Sequence, residues 1–126
     1  MIMQQFKTVA DIDEKYGLNF CQDARNNSYH TFILKIFNNG KVKYRKKYKR
    51  DPLLLNTIAL MYDVKKKNIL TAIKYYKMSI ALNDVDSMYC LGTLYEDKND
   101  LHNAIKYYKM AADNGDNDSA CDIVRL

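Results

Sequence analysis

The chain has 126 residues, of which 48% are apolar and 28% charged, and its net charge is +5. The length fits one ordinary domain, and the composition excludes disordered and collagen-like chains. No stretch approaches the roughly 18 apolar residues of a membrane-spanning helix, and the first residues lack the pattern of a signal peptide. Three widely spaced cysteines argue against a disulfide framework. They predict a reducing compartment, the cytoplasm or alternatively the nucleus.

The positive charge is concentrated in the first half of the chain. Residues 1–50 carry a balance of +7 and residues 51–126 a balance of −2. Residues 41–50, called here the basic segment, hold seven cationic side chains: Lys41, Lys43, Arg45, Lys46, Lys47, Lys49 and Arg50. Such a block is typical of a surface that attracts phosphate backbones, anionic membranes or acidic proteins, and also of a solvated helix face.

Two helices are predicted before the basic segment. The first helical stripe comprises Met3, Phe6, Val9 and Ala10. Gly17 is placed to end this helix. The second stripe comprises Tyr29, Phe32, Ile33, Ile36 and Phe37. Its members fall at helical spacing and predict a helix near 28–38.

Two structures compete for the basic segment, which follows the breaker Asn38-Asn39-Gly40. A helix near 41–49 would complete a degenerate helical hairpin, in which Val42, Tyr44 and Tyr48 could pack inward. A β-hairpin turning at Asn-Gly is the alternative. We expect helices, because the stripe before the turn fits the helical period and an isolated β-hairpin is unstable.

The second half of the chain contains an internal repeat. The hexapeptide IKYYKM occupies residues 73–78 and recurs 32 residues later at 105–110. Upstream, residues 58–62 match residues 91–95 in their apolar, small and tyrosine positions. A period of about 20 to 50 residues is typical of stacked solenoids.

Each repeat unit is predicted to be a helical hairpin. In the first unit, one stripe comprises Leu55, Ile58, Ala59 and Tyr62, and the other comprises Ala72, Tyr76 and Ser79. Asp51-Pro52 supplies a helix cap and a proline in the first turn. The connectors 65–68 and 97–100 are too short for anything but an antiparallel neighbour. Small residues at Ala59, Gly92, Ala104 and Ala111 allow the two helices to approach closely.

These residues resemble the tetratricopeptide repeat, whose pattern is W-x2-L-G-x2-Y…A-x3-F. The second unit meets it with Met88, Leu91, Gly92, Tyr95, Ala104 and Tyr108. Its ending, Ala111-Ala112-x-x-Gly115, is similar to the related Sel-one-like repeat. The first unit is looser, with one extra residue before Ala72.

The resemblance covers residues 52–115 and implies an all-α fold. The expected architecture is an α-solenoid of stacked antiparallel helical hairpins, with about two full repeats and a terminal helix. Residues 1–50 would form an N-terminal helical region, and residues 51–126 the repeats. Residues 118–124 repeat the register of 86–92. We expect a short capping helix there, and the alternative is a clipped member of a longer array.

No catalytic or metal-binding motif is present in the sequence. His30 lies in an apolar run and His102 in a predicted connector, and neither has partners at metal-ligand spacing. Cys90 lacks a basic neighbour that would lower its pKa, so we interpret it as a packed thiol. The tyrosine pairs at 75–76 and 107–108 are interpreted as core rather than as base-stacking platforms. We therefore expect no enzyme and no cofactor.

The resemblance also implies a ligand surface on the first helix of each hairpin, at the concave side of the solenoid. Carried over by register, this first-helix face comprises Leu53, Asn56, Leu60 and Asp63, then Asp86, Tyr89, Thr93 and Glu96. The face is mildly acidic and suits a basic or amphipathic peptide. The Lys/Arg clamp of members that bind chaperone tails is absent at these positions.

The main hypothesis is a non-catalytic protein–protein interaction adaptor that binds a peptide or helix on the first-helix face. One alternative is a nucleic-acid-associated module that uses the basic segment for phosphate contacts. A second alternative is a structural subunit of a larger repeat assembly. A further alternative is that two and a half repeats form a groove too shallow to bind a partner alone. No membrane partner is expected.

Overall fold

The computed structural model describes residues 5–20, 27–43 and 45–126, and in these ranges the regular structure is helical, without a strand. The α-helices are α1 (Val9–Tyr16), α2 (Asn27–Asn39), α3 (Pro52–Leu60), α4 (Ile69–Ile80), α5 (Val85–Asp97), α6 (Leu101–Asp113) and α7 (Asn117–Arg125). A 3-10 segment, Lys46–Arg50, precedes α3, and a π-helical segment, Met61–Lys65, continues it. The predicted all-α class is confirmed.

An acid or amide side chain begins each helix from α3 to α7. These N-cap residues are Asp51, Asn68, Asp84, Asp100 and Asp116. Each accepts a hydrogen bond from a backbone N–H of the first turn, which has no partner inside the helix. Pro52 stands at the first position of α3, where its missing N–H costs nothing.

The four connectors from α3 to α7 each contain one residue in the left-handed backbone region: Lys67, Asn83, Asn99 and Gly115. This conformation reverses the chain within three or four residues. Asparagine and glycine adopt it at the lowest cost, since a longer side chain crowds the backbone there. The tight reversals bring each helix against the next one: α3 against α4, α4 against α5, α5 against α6 and α6 against α7.

The first two of these helices form an antiparallel hairpin. At one end the Ser79 hydroxyl donates to the Pro52 carbonyl at 2.9 Å. At the other end the Tyr62 and Tyr75 rings stack with centroids 5.9 Å apart and planes inclined by 2°. The second hairpin repeats this stack with Tyr95 and Tyr107, at 5.7 Å and 10°. The repeat in the sequence is therefore also a repeat of contacts.

The tyrosine pairs belong to the core, as the sequence predicts. Tyr76 and Tyr108 are 0% and 1% exposed, and Tyr75 and Tyr107 are also buried. The predicted small residues, Ala59, Gly92, Ala104 and Ala111, are all buried as well. A tyrosine on one helix and an alanine or glycine on its neighbour fill the space between two closely packed helices.

The N-terminal helices join this core. Helix α1 ends at Gly17 as predicted, with φ 68°. The predicted stripe is only partly found, since Phe6 precedes the helix and Ala10 is exposed, and Met3 lies outside the described residues. The predicted helix near 28–38 is confirmed as α2. From α2, the Tyr29 hydroxyl is hydrogen-bonded to Thr57 Oγ1 of α3 at 2.7 Å. One continuous set of buried side chains therefore extends from α1 to α6.

The helix predicted near 41–49 is wrong, and with it the degenerate hairpin. Helix α2 ends at Gly40 with φ 69°, and helical structure resumes only at the short 3-10 segment. Within the described residues of the segment, Val42 and Tyr48 turn inward. They are six positions apart, which places them on different sides of an α-helix. The β-hairpin is not found either, since no described residue of the segment is in a strand, and Tyr44 lies outside the described residues.

Candidate functional site

The first-helix face extends over α3, its π-helical continuation and α5. Six of its eight side chains are half-buried, Asp86 is exposed, and Asn56 retains only 8% of its surface. Leu53 and Leu60 pack at the margin of the core. The face is thus a set of partly accessible side chains with one buried member.

Asn56 lies between α3 and α5 instead of facing solvent. Its Nδ2 donates to Ser87 Oγ at 2.8 Å, and the Ser87 hydroxyl donates to Asp84 Oδ2 at 2.6 Å. Asp84 also accepts the Ser87 backbone N–H and so caps α5. This chain of hydrogen bonds fixes the start of α5 against α3, and the side chain of Asn56 serves the packing of the two helices.

Asp63 lies at the end of the first helix of its hairpin, beside the buried Tyr76 of the second. The Tyr76 hydroxyl donates to Asp63 Oδ2 at 3.1 Å. Burial raises the pKa of the Asp63 carboxyl, and the hydrogen bond from Tyr76 opposes the shift. Asp97 raises this pKa further, and Lys67 lowers it.

Three members of the face in α5 gather around Tyr108. The Tyr108 hydroxyl donates to Glu96 Oε1 at 2.8 Å and lies 3.4 Å from Thr93 Oγ1. The Tyr89 and Tyr108 ring centroids are 5.7 Å apart. The structure therefore brings together Tyr89, Thr93 and Glu96, and it places the same tyrosine–carboxylate contact in both hairpins.

Helix α7 adds charged side chains to this cluster. Arg125 Nη2 lies 2.9 Å from Glu96 Oε1 and 3.3 Å from Asp122 Oδ1. Hydrogen bonds from Arg125 and Tyr108 lower the pKa of Glu96. Burial raises the pKa of Tyr89, and so do the charges of Asp122 and Asp118 and a hydrogen bond with Asp122. Two carboxylates of α7, Asp118 and Asp122, thus act on a half-buried tyrosine of α5.

The basic segment presents its charge to solvent. All seven cationic side chains are exposed, while Tyr48 is 6% exposed and packs edge-to-face on Phe32 with ring centroids 5.7 Å apart. None of the seven forms an ion pair with a carboxylate among residues 5–20, 27–43 and 45–126. The cations are therefore available to an anionic partner.

The sequence assigns no function to His102, Cys90 and His30, and the structure places them as follows. His102 is in the first turn of α6, not in a connector, and is exposed. Burial raises the pKa of the Cys90 thiol to about 12, so the thiol stays protonated at neutral pH. His30 is half-buried, and its Nε2 has no hydrogen-bond partner among the described residues.

The sequence did not identify the contribution of α7 to the site. The motif Asp-x-x-Ser at 84–87 recurs at 116–119, and this spacing is a usable signal for the capped start of α7. Arg125 and Asp122 then follow on the same helix. Their contact with Glu96 joins residues 29 positions apart, which no local pattern reveals.

Within the part of the chain that the structure describes, no group of three or more His, Cys, Asp or Glu side chains is arranged to hold a metal ion. Over the same ranges, no helix has both the length and the apolar character needed to cross a bilayer. The chain matches no protein-family model, and comparisons with curated proteins and with solved structures find no significant similarity.

Proposed function

We propose that this chain is a non-catalytic protein–protein interaction adaptor. Its helical hairpins would form a short α-solenoid of the tetratricopeptide or Sel-one-like type, and its first-helix face would bind a basic or amphipathic peptide or helix. The repeated tyrosine stacks and tyrosine–carboxylate contacts of the two hairpins support the repeat architecture. A protein partner is proposed because peptide recognition on helical faces needs no catalytic group.

The acidic and aromatic cluster around Tyr89 carries this proposal. Asp86 precedes Tyr89 by three residues and lies on the same side of α5, while Asp118 and Asp122 approach from α7. Arg125 of α7 pairs with Glu96 and with Asp122. A half-buried tyrosine among carboxylates offers apolar contact area and attracts cationic side chains, so Lys or Arg on the partner would add specificity and speed association.

A selection from a random peptide library tests the adaptor function. The full chain is the only target, and the selected peptides are then titrated against an Asp86→Asn/Tyr89→Ala variant. We expect the selected peptides to carry Lys or Arg next to apolar residues, and to bind the double variant at least tenfold more weakly. Peptides that bind both proteins equally would contradict the proposed face.

A matched double variant controls for general effects of the substitutions. Asp113→Asn/Leu101→Ala makes the same charge change and also truncates one large exposed side chain, but on α6. It should bind the selected peptides as the wild type does. If this variant loses affinity to the same degree, the peptides recognise total charge and the first-helix face is rejected.

A second candidate function is nucleic-acid association through the basic segment, and seven exposed cations without carboxylate partners among the described residues favour it. Fluorescence anisotropy of labelled single- and double-stranded nucleic acid measures it between about 50 and 200 mM salt, where phosphate contacts weaken steeply. Binding that is lost on neutralising Lys43, Arg45, Lys46 and Lys47 supports this function. Absence of binding at the lowest salt concentration excludes it.

A further inference from the structure

A cavity of about 500 Å³ lies between α2 and the basic segment. Its apolar wall is formed by Phe32 and Ile36 of α2 together with Val42 and Tyr48 of the segment. Ile36 and Tyr48 are 3% and 6% exposed, so this wall is continuous with the core. The volume lies within the range of clefts that hold small organic ligands, about 300 to 1,000 Å³.

The remaining wall of the cavity consists of four cationic residues and Asn39. Lys35 is on the same face of α2 as Phe32 and Ile36, because the three positions follow helical spacing. Lys41, Lys43 and Arg45 line the opposite side. No carboxylate is among the described residues that line the cavity. Four cations therefore surround an apolar space, and their mutual repulsion is relieved when an anion enters.

We propose that this cavity binds a phosphate monoester that carries an apolar or aromatic body. The body would occupy the space beside Phe32 and Val42, and burial of its apolar surface drives this part of binding. The phosphate carries almost two negative charges at neutral pH and would lie among Lys35, Lys41, Lys43 and Arg45. A single carboxylate would balance only one of these four cations.

Two sources supply this chemistry, a nucleotide and an alkyl phosphate of the lipid type, and the experiment separates them. Isothermal titration calorimetry of the full chain uses adenosine monophosphate, dodecyl phosphate below its micelle concentration, inorganic phosphate and dodecanol as probes. We expect one organic phosphate to bind at least tenfold more tightly than inorganic phosphate, and dodecanol to bind weakly. Tighter binding of adenosine monophosphate identifies the nucleotide source, and tighter binding of dodecyl phosphate the lipid source.

Two triple variants of the same segment decide whether the cavity is the site. Neutralising Lys41, Lys43 and Arg45 to glutamine removes cations that line the cavity and should weaken binding at least tenfold. Neutralising Lys46, Lys47 and Lys49 to glutamine makes the same charge change at exposed positions that do not line it, and should change affinity less than twofold.

Three outcomes would overturn the proposal. The first is that neither organic phosphate binds. The second is that inorganic phosphate binds as tightly as both organic phosphates, which excludes a role for the apolar wall. The third is that the two triple variants weaken binding equally, which indicates general attraction to positive charge. The proposal does not depend on the adaptor function, because the residues of the cavity are not members of the first-helix face.

Discussion

At the level of single residues, Asp63 and Glu96 occupy the same position of the two hairpins, yet their pKa values shift in opposite directions. Each accepts a hydrogen bond from the tyrosine of the neighbouring helix. Glu96 also has Arg125 from α7 beside it, and this contact lowers its pKa. Burial dominates at Asp63 and raises its pKa. The direction of the pKa shift at each carboxyl therefore depends on which element packs next to its hairpin.

Asp63→Asn should raise stability at neutral pH. The amide keeps an oxygen for the Tyr76 hydroxyl and removes a partly desolvated charge. Because the folded state holds the Asp63 proton more tightly than the unfolded state does, the wild type gains stability as the pH falls. The stability difference should therefore shrink as the pH falls through the folded pKa, which lies above the ordinary value of 3.8. Urea unfolding between pH 4 and 7 measures it.

Glu96→Gln is the matched variant and should behave in the opposite way. Its folded pKa is lowered from 4.5, so the carboxylate stabilises the protein above pH 4.5, and this contribution is lost as the pH falls through the lowered pKa. The variant should be less stable than the wild type at pH 7, and salt should reduce the difference because the Arg125 contact is exposed. If both variants show the same pH dependence, the assigned environments are wrong.

Gly92 permits the closest contact between α5 and α6. A Cβ atom at this position would lie 2.7 Å from Cδ1 and 2.8 Å from Cε1 of Tyr108. The ring has little room to retreat, because it is buried and its hydroxyl is hydrogen-bonded to Glu96. The close approach of the Tyr108 ring therefore explains why this chain has glycine at this position of the repeat pattern.

Gly92→Ala should lower the free energy of unfolding by up to about 2 kcal/mol, which is an overpacking cost of about 1–3 kcal/mol less a gain of about 1 kcal/mol in helix propensity. Chemical denaturation followed by circular dichroism measures the change. Asp97→Ala, at an exposed position of the same helix, should change stability by less than about 0.5 kcal/mol. Equal or higher stability of Gly92→Ala would show that the helices are free to separate.

At the level of elements, the π-helical segment explains how two unequal units make equal contacts. Tyr62 and Tyr75 are 13 residues apart, whereas Tyr95 and Tyr107 are 12 apart, yet both pairs stack. The extra residue falls where the Lys66 N–H bonds to the Met61 carbonyl, five residues earlier. A π-turn accommodates one additional residue per turn, so the register of the tyrosines is preserved.

Deleting one residue should therefore have different effects in the two hairpins. Deletion of Lys66 should convert the π-turn to a regular α-turn and retain cooperative unfolding, because the first hairpin then has the spacing of the second. Deletion of Lys98 should destabilise the second hairpin more strongly, because that hairpin has no additional residue and the deletion would shift the register of its tyrosines. Thermal unfolding of both deletions measures this. A larger loss for the Lys66 deletion would contradict the role assigned to the π-turn.

At the level of the whole molecule, the N-terminal helices share their core with the first hairpin. Ile33 of α2 is fully buried, and the Lys65 ammonium of the π-helical segment donates to the Phe37 carbonyl of α2. The predicted division at residue 50 stays a prediction. Contacts of this kind indicate that α2 and the first hairpin unfold together.

Ile33→Ala should lower the free energy of unfolding by about 2–5 kcal/mol, since it leaves a cavity in a fully buried site. Hydrogen exchange should accelerate in α4 as well as in α2, because the two helices belong to one core. Leu70→Ala removes a side chain that is 82% exposed, and it should leave the free energy of unfolding and the hydrogen-exchange rates unchanged. Faster exchange confined to α1 and α2 would show that residues 1–50 are an independent unit.

The sequence by itself determined the helical class, the two hairpins and their buried tyrosines. These features depend on periodicity and on caps, and both act over a few residues. The stripe of α2, the stop at Gly17 and the cap at Asp51 follow from the same local rules. The first-helix face as a binding surface stays a prediction, and its equivalent positions differ in burial, since Asn56 is buried and Tyr89 is half-buried.

Only the tertiary structure decided what those residues contact. Asn56 is buried because α5 packs on α3, and Glu96 is paired because α7 brings Arg125 to it. The described residues of the basic segment do not form an α-helix, since Val42 and Tyr48 are anchored by Tyr62 and Phe32, which belong to other elements. The cavity between α2 and the basic segment also depends on such contacts between elements. Contacts between residues distant in the chain are set by how helices pack, and no local pattern records them.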